Sequence, residues 1–139
     1  MTFPIKIGGE YVNNPAAPSD NEGYWGGITF GKSGTKKTWD VSYRYQELQA
    51  NAWYDQLVDD DNGAFYQTLP SGAAATAKVG FYGGTNIKGH LIKANYSFTD
   101  SLTLSFTCYI NELIGNTSNG TAEPQSKSMH MMADMMWKF

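Results

Sequence analysis

The last eleven residues of the chain, Met129 to Phe139, alternate strictly between two unlike sets of side chains. Because successive side chains of a strand point to opposite faces, a period of two predicts a β-strand with two different faces. Eleven residues also match the ~9–11 that a tilted strand needs to cross a bilayer. One face carries Phe139, Trp137, Met135, Ala133, Met131 and Met129, and the other carries Lys138, Met136, Asp134, Met132 and His130.

Five further segments show the same alternation, and we predict six antiparallel strands that neighbour one another in sequence order. The alternation slips after Glu47, where a bulge or a strand leaving a membrane would disturb it. The chain is also rich in aromatic residues and glycine, which suits strands and turns better than helices. The predicted strands cover residues 3–12, 22–32, 38–50, 87–98, 101–112 and 129–139.

The five connections alternate in length along the chain. The links at 13–21, 54–86 and 114–128 are long, whereas those at 32–37 and 99–101 are short. Outer-membrane β-barrels have short periplasmic turns and longer extracellular loops, and a soluble sandwich has no reason to sort its loops in this way. The pattern predicts an all-β fold, an antiparallel transmembrane β-barrel, in which residues 1–139 form one segment without a second domain.

The apolar faces suit contact with lipid. None of them places a charged residue in its middle, where a charge facing lipid would cost about 2–4 kcal/mol. Aromatic residues, including Tyr11 and Tyr24, lie near the strand ends. The residues predicted for a membrane-interface girdle are Trp39, Tyr96, Phe98, Trp137 and Phe139.

The polar faces would line the interior of such a barrel. Cations and anions are mixed on these faces, so the number of charges sets no clear ion preference. The cations are Lys6, Arg44, Lys93 and Lys138, and the anions are Glu10, Asp40 and Asp134. The residues predicted to line a pore are Lys6, Glu10, Asp40, Arg44, Gln46, Lys93, Asn95 and Asp134.

Composition excludes several other classes. A net charge of −3 over 139 residues gives no electrostatic case for nucleic acid. There is no run of eighteen apolar residues for a transmembrane helix, and the single Cys108 cannot form an internal disulfide. The first residues do not form a secretory signal peptide, so we expect a processed, truncated or partial chain.

Candidate chemical sites are weak. The match of Gly26–Ser33 to a phosphate-binding loop lies between two strands, where that motif needs a strand followed by a helix. Asp59, Asp60 and Asp61 offer oxygen ligands that suit calcium, but a solvated acidic loop tip is the simpler interpretation. The methionines of the last strand point to both faces and cannot converge on copper, and Cys108 is expected to be a buried, inert thiol. We find no active site and expect no enzyme and no cofactor beyond a loop-bound calcium.

Four segments of the chain carry a resemblance to a known family: Gly26–Lys32, Trp39–Tyr45, Gly89–Tyr96 and Thr99–Leu104. They resemble the C-terminal part of a porin family of Gram-negative outer-membrane β-barrels. Members of that family share a Thr-Asp-x-Leu-Thr-Leu turn and a terminal aromatic-Lys-Phe or Val-Lys-Phe ending. The resemblance implies a bacterial outer-membrane location, contact with outer-membrane lipid, and recognition of the C-terminal strand by the outer-membrane assembly machinery.

Six strands are too few to close a membrane barrel, for which eight is the practical minimum in a single bacterial chain. Further strands, other barrel chains or porin subunits are expected to complete it. We expect a passive, water-filled channel for small hydrophilic solutes. Arg44 and Lys93 are expected to influence its ion selectivity. The gate is expected in residues 54–86, where five aromatic side chains would pack inward: Tyr54, Phe65, Tyr66, Phe81 and Tyr82. A closed structural outer-membrane barrel and a soluble ligand-binding barrel of the lipocalin kind are the alternatives.

Overall fold

The structure is a computed structural model that describes residues 3–53, 86–114 and 127–139, apart from the side chain of Leu113. These residues form one antiparallel sheet of six strands in the order β1-β2-β3-β4-β5-β6. Both the number of strands and their sequence-order pairing are as predicted. The strands are β1 (Ile5–Asn13), β2 (Glu22–Gly31), β3 (Thr38–Leu48), β4 (Ile87–Ser97), β5 (Leu102–Leu113) and β6 (Lys127–Trp137).

Most predicted strand ends differ from the observed ones by one or two residues, and four differ by two. The first strand was expected to begin at residue 3 but begins at Ile5, and the last was expected to reach residue 139 but ends at Trp137. The third strand was expected to reach residue 50 but ends at Leu48. Beyond it the chain turns, because the Asn51 amide donates to the Asp20 carbonyl oxygen (2.7 Å) and the Ala52 amide to that of Gln49 (3.1 Å). The last strand begins at Lys127, two residues earlier than predicted, where Lys127 pairs with Glu112.

The register places the predicted apolar and polar sets on opposite faces of the sheet. Directly paired residues of neighbouring antiparallel strands project to the same side. A single row of pairs crosses all six strands through Ile5, Phe30, Val41, Ala94, Phe106 and Ala133. The next row along the sheet, on the other side, runs through Lys6, Thr29, Ser42, Lys93, Thr107 and Met132. We call these sides the apolar face and the polar face.

The polar face is the concave side of the sheet. Residues from all six strands, from Lys6 on β1 to Asp134 on β6, line one cavity of about 460 Å³ on this face. The curvature encloses part of the polar face and spreads the apolar side chains outward, whereas Lys6 and Asp134 on the two edge strands stay exposed. Thr107 on the polar face is only 4% exposed, whereas Ile7 and Met135 on the apolar face are 82% and 70% exposed.

The sheet is open in the part of the chain that the structure describes. Strands β1 and β6 are its two edges, so no closed barrel forms from these six strands. Among the described residues there is also no helix of the length and apolarity needed to span a membrane.

The short connections lie together at one end of the sheet. The Gly34 amide donates to Ser97 Oγ (2.8 Å), and the Lys36 amide donates to Asp100 Oδ1 (2.7 Å). Ser97 is fully buried, and its hydroxyl also lies 2.9 Å from Thr103 Oγ1. The turn after β2 is thus fixed to the turn after β4.

Candidate functional site: the polar face of the sheet

All eight residues predicted to line a pore lie on the polar face, although they do not form one cluster. Lys6, Arg44, Lys93 and Asp134 line the central cavity of about 460 Å³. Glu10 and Gln46 line a second depression of about 480 Å³ near the ends of β1 and β3. The remaining two, Asp40 and Asn95, pair with each other across β3 and β4 and line neither cavity.

Trp25 joins Glu10 to Arg44 across three strands. Its indole Nε1 donates to Glu10 Oε2 (2.6 Å), and the Arg44 guanidinium carbon lies 4.1 Å from the centre of its ring. The ring also leans over Gly8, where an added Cβ would lie 3.4 Å from the indole. Cation–π stacking and a hydrogen bond to a carboxylate therefore fix Arg44 and Glu10 at separate positions along the concave wall.

Asp40 belongs to a second group of hydrogen bonds. The Asn95 side-chain amide donates to Asp40 Oδ1 (2.7 Å), and the Ser33 backbone amide donates to Asp40 Oδ2 (3.0 Å). The Ser105 hydroxyl in turn donates to Asn95 Oδ1 (2.6 Å). Neutral donors thus bind both carboxylate oxygens of Asp40, in line with the general need of half-buried charges for hydrogen-bond partners.

The aromatic residues of the apolar face mark an oblique boundary near the short turns. Trp39 pairs with Tyr96, and the Phe3 ring lies 5.4 Å from the Trp39 ring. On the last strand, however, the aromatic position is Trp137, which pairs with Leu102 and so lies two residues further towards the strand ends than Met135, the member of the Trp39 row on that strand. The aromatic side chains of this face therefore do not all lie in one row of paired residues. The predicted girdle residues Trp39, Tyr96, Phe98, Trp137 and Phe139 are all exposed on this side or just beyond it.

The opposite end of the apolar face carries a row of polar and charged side chains that the sequence reading did not identify. The Tyr24 hydroxyl donates to Glu47 Oε2 (2.8 Å). In the same row, Lys88 Nζ lies 3.2 Å and Lys127 Nζ lies 3.9 Å from the two oxygens of Glu112. We call this row the boundary belt, and its members are Tyr11, Tyr24, Glu47, Lys88, Glu112 and Lys127.

The boundary belt depends on strand register. Tyr24 on β2 and Lys127 on β6 lie in the same row only because the registers of the four strand pairs from β2 to β6 align them. Alternation along a single strand gives no information on that alignment. The available sequence signal was a charged residue at one end of the apolar set on four of the six strands, as at Glu47 and Glu112.

His90 is a polar exception within the apolar face. Its Nδ1 lies 2.7 Å from the Tyr43 hydroxyl, and its ring lies 5.4 Å from the Tyr45 ring. The two tyrosines therefore give the imidazole both a hydrogen-bond partner and an aromatic contact on an otherwise apolar surface.

The structure bears in different ways on the predictions for Cys108, the calcium ligands, the gate and the methionines of the last strand. Cys108 is a buried free thiol, as predicted. The calcium ligands Asp59, Asp60 and Asp61 lie outside the described residues, as do all residues of the predicted gate, 54–86, except Asn86. Within the described ranges, no three His, Cys, Asp or Glu side chains are grouped as a metal site requires. Met131 pairs with Cys108 on the apolar face and Met132 with Thr107 on the polar face, so the methionines do diverge.

Comparisons of the chain with protein-family models, with curated proteins and with solved structures found no match. The resemblance to a porin family therefore stays a prediction from short segments. A functional proposal has to rest on the geometry and chemistry of the sheet itself.

Proposed function

We propose that this sheet is part of an outer-membrane porin, a passive water-filled channel for small hydrophilic solutes without catalytic turnover. In this proposal the apolar face contacts lipid, the polar face lines the lumen, and the long connections lie on the extracellular side. The bacterial outer membrane is the location that this arrangement fits, because closed β-barrels of this polarity are typical of that membrane.

The single observation that carries the proposal is the inverted polarity of the curved sheet. In a water-soluble sheet the enclosed face is apolar and the exposed face is polar. Here the face that surrounds the cavity carries Arg44, Lys93 and Asp134, and the opposite face carries large exposed apolar residues on every strand. A contiguous exposed surface of this kind exceeds what soluble monomers tolerate and is suited to lipid contact.

The height of the apolar band supports the same interpretation. Eight residue steps along β3 separate Trp39, in the aromatic row, from Glu47, in the boundary belt. At ~3.4 Å per residue these steps cover about 27 Å along the strand, and a tilt of ~40° reduces this to about 20 Å along the membrane normal. Apolar bands of outer-membrane barrels are ~25 Å tall, and aromatic girdles flank them.

The two open edges define what the sheet needs in order to work in a membrane. The outward backbone amides and carbonyls of β1 and β6 would be unsatisfied in lipid, which costs several kcal/mol for each group. Further strands, from the same polypeptide or from other chains, must therefore pair with both edges. The lumen then forms between this concave wall and the strands that complete the barrel.

The proposal is tested by reconstituting the complete barrel that contains this sheet into a planar lipid bilayer and recording ion current. We expect stepwise, ohmic conductance increments, because a wall lined by charged and hydroxyl side chains holds water. A barrel that inserts into vesicles but stays silent in the bilayer would favour the closed structural protein. A protein that stays monomeric in detergent-free buffer and does not partition into vesicles would contradict the membrane location and favour the soluble ligand-binding barrel.

A further inference from the structure

We infer that the central part of the polar face is a binding site for small inorganic anions such as chloride and phosphate, which makes the proposed channel anion-selective. This inference rests on the proposed function, since the polar face becomes a lumen only in a completed barrel. It goes beyond the overall charge count of the wall, which gives no preference. The reason is that the structure separates the cations from most of the anions.

Three cations converge on the central cavity. Lys6, Arg44 and Lys93 line it, and among the described residues the lining holds one carboxylate, that of Asp134, which gives these residues a net charge of +2. Arg44 pairs with Leu91, which makes Lys93, two residues further along β4, its diagonal neighbour. Diagonal neighbours of this kind lie ~7–8 Å apart, within the Debye length of about 8 Å at physiological salt.

The carboxylates that could neutralise these cations are bound elsewhere. Glu10 accepts from the Trp25 indole, and Asp40 accepts from Asn95 and the Ser33 amide. Neither residue lines the central cavity. Within residues 3–53, 86–114 and 127–139, both ion pairs shorter than 4 Å involve Glu112, and neither includes Lys6, Arg44 or Lys93.

Neutral donors complete the site. Lys6 and Lys93 belong to the row that also contains Thr29, Ser42 and Thr107, and these three hydroxyl side chains line the same cavity. Ammonium, guanidinium and hydroxyl groups are the donors that bind oxyanions and halides. An anion among these cations would also relieve their mutual repulsion, which Asp134 compensates only in part.

The fixed geometry of Arg44 favours an anion bound at a defined position over one that is only attracted to the region by charge. Its guanidinium lies on the Trp25 ring, so the side chain is held in place before an anion arrives. A preorganised planar donor loses less conformational entropy on binding than a free lysine does. Lys6 and Lys93, which are both exposed, supply the adjustable charges on either side.

The test uses the complete barrel and the double variant Lys6→Gln/Lys93→Gln, with Lys36→Gln in the exposed short turn as the matched control. Reversal potentials are recorded in a KCl gradient, and binding of inorganic phosphate to the detergent-solubilised barrel is measured by calorimetry. One charge acting at ~7 Å through water changes a local ion concentration about threefold. We therefore expect the double variant to lower the phosphate affinity by roughly tenfold. The chloride-to-potassium permeability ratio should fall by a larger factor, because each lost cation lowers the local chloride concentration and raises that of potassium. Lys36→Gln should leave both quantities unchanged, and Lys6→Arg/Lys93→Arg should restore them.

The measurements distinguish a failure of the proposed anion site from a failure of the proposed pore. A barrel that conducts but prefers potassium, or whose double variant matches the wild type in both measurements, overturns the anion site and leaves the pore in place. A barrel that does not conduct overturns the pore. The calorimetric comparison then decides the anion site alone, because phosphate binding does not require conduction.

Discussion

Trp25 shows how one residue can organise the polar face of the sheet. Its indole nitrogen binds Glu10, its ring supports Arg44, and it lies over Gly8, which has no side chain to displace it. These contacts hold a carboxylate and a guanidinium on the same surface without bringing them into an ion pair. Arg44 therefore keeps its charge available to solutes in the concave space, which is the property that the proposed anion site uses.

Gly31 ends β2 in a conformation that only glycine adopts readily, with φ at +85°, and a Cβ at this position would meet the Trp39 carbonyl oxygen. We expect Gly31→Ala to lower the free energy of unfolding by about 1–2 kcal/mol from the backbone conformation alone. The measurement is urea unfolding of the complete barrel from lipid vesicles. Gly26→Ala is the matched control, because nothing lies within 4 Å of its added Cβ. Equal losses for the two variants would contradict the assigned conformation.

At the level of elements, the two short turns act as one unit. The segment after β2 donates backbone amides to Ser97 and Asp100, which belong to the end of β4 and the turn that follows. Strand pairing alone would leave these turns independent. Their connection fixes the short-turn end of the sheet, where the aromatic row also lies.

Asp100 provides the test of that connection. Asp100→Ala removes the acceptor of the Lys36 amide, and we expect a loss of about 1 kcal/mol in the free energy of unfolding. Asp100→Asn keeps an oxygen acceptor at the same position and should lose clearly less. Unfolding in urea, followed by tryptophan fluorescence, reports both values. If the alanine variant is as stable as the wild type, the two turns are not coupled.

The strands themselves could be predicted from the sequence, because alternation is a local property. Leu104 and Phe106 against Ser105 and Thr107 are enough to assign β5 and its two faces. What the sequence could not supply depends on register or on distant contacts. The stacking of Arg44 on Trp25 and the meeting of Glu112 with Lys127 join residues on different strands. Strand ends were also predicted wrongly where a hydrogen bond outside the strand pairing, such as that from the Asn51 amide to the Asp20 carbonyl oxygen, turns the chain away from the sheet.

At the scale of the whole sheet, curvature and polarity act together. The concave side gathers Lys6, Arg44, Lys93 and Asp134 around one cavity, and the other side presents an apolar band between an aromatic row and the boundary belt. The boundary belt places charges and tyrosine hydroxyls where the band ends. A bilayer favours this order of side chains, since the free-energy cost of a charge that faces lipid is small only near the interfaces.

The most direct test of this account is a nitroxide scan of β3, from Trp39 to Glu47, in the lipid-reconstituted complete barrel. Each position is labelled through a single cysteine in a Cys108→Ser background, and collisions with oxygen and with a water-soluble nickel complex are compared. We expect a period of two: labels at 39, 41, 43 and 45 contact lipid-dissolved oxygen, and labels at 40, 42, 44 and 46 contact the nickel complex. Nickel accessibility along both faces, without alternation, would contradict the assignment of the apolar face to lipid.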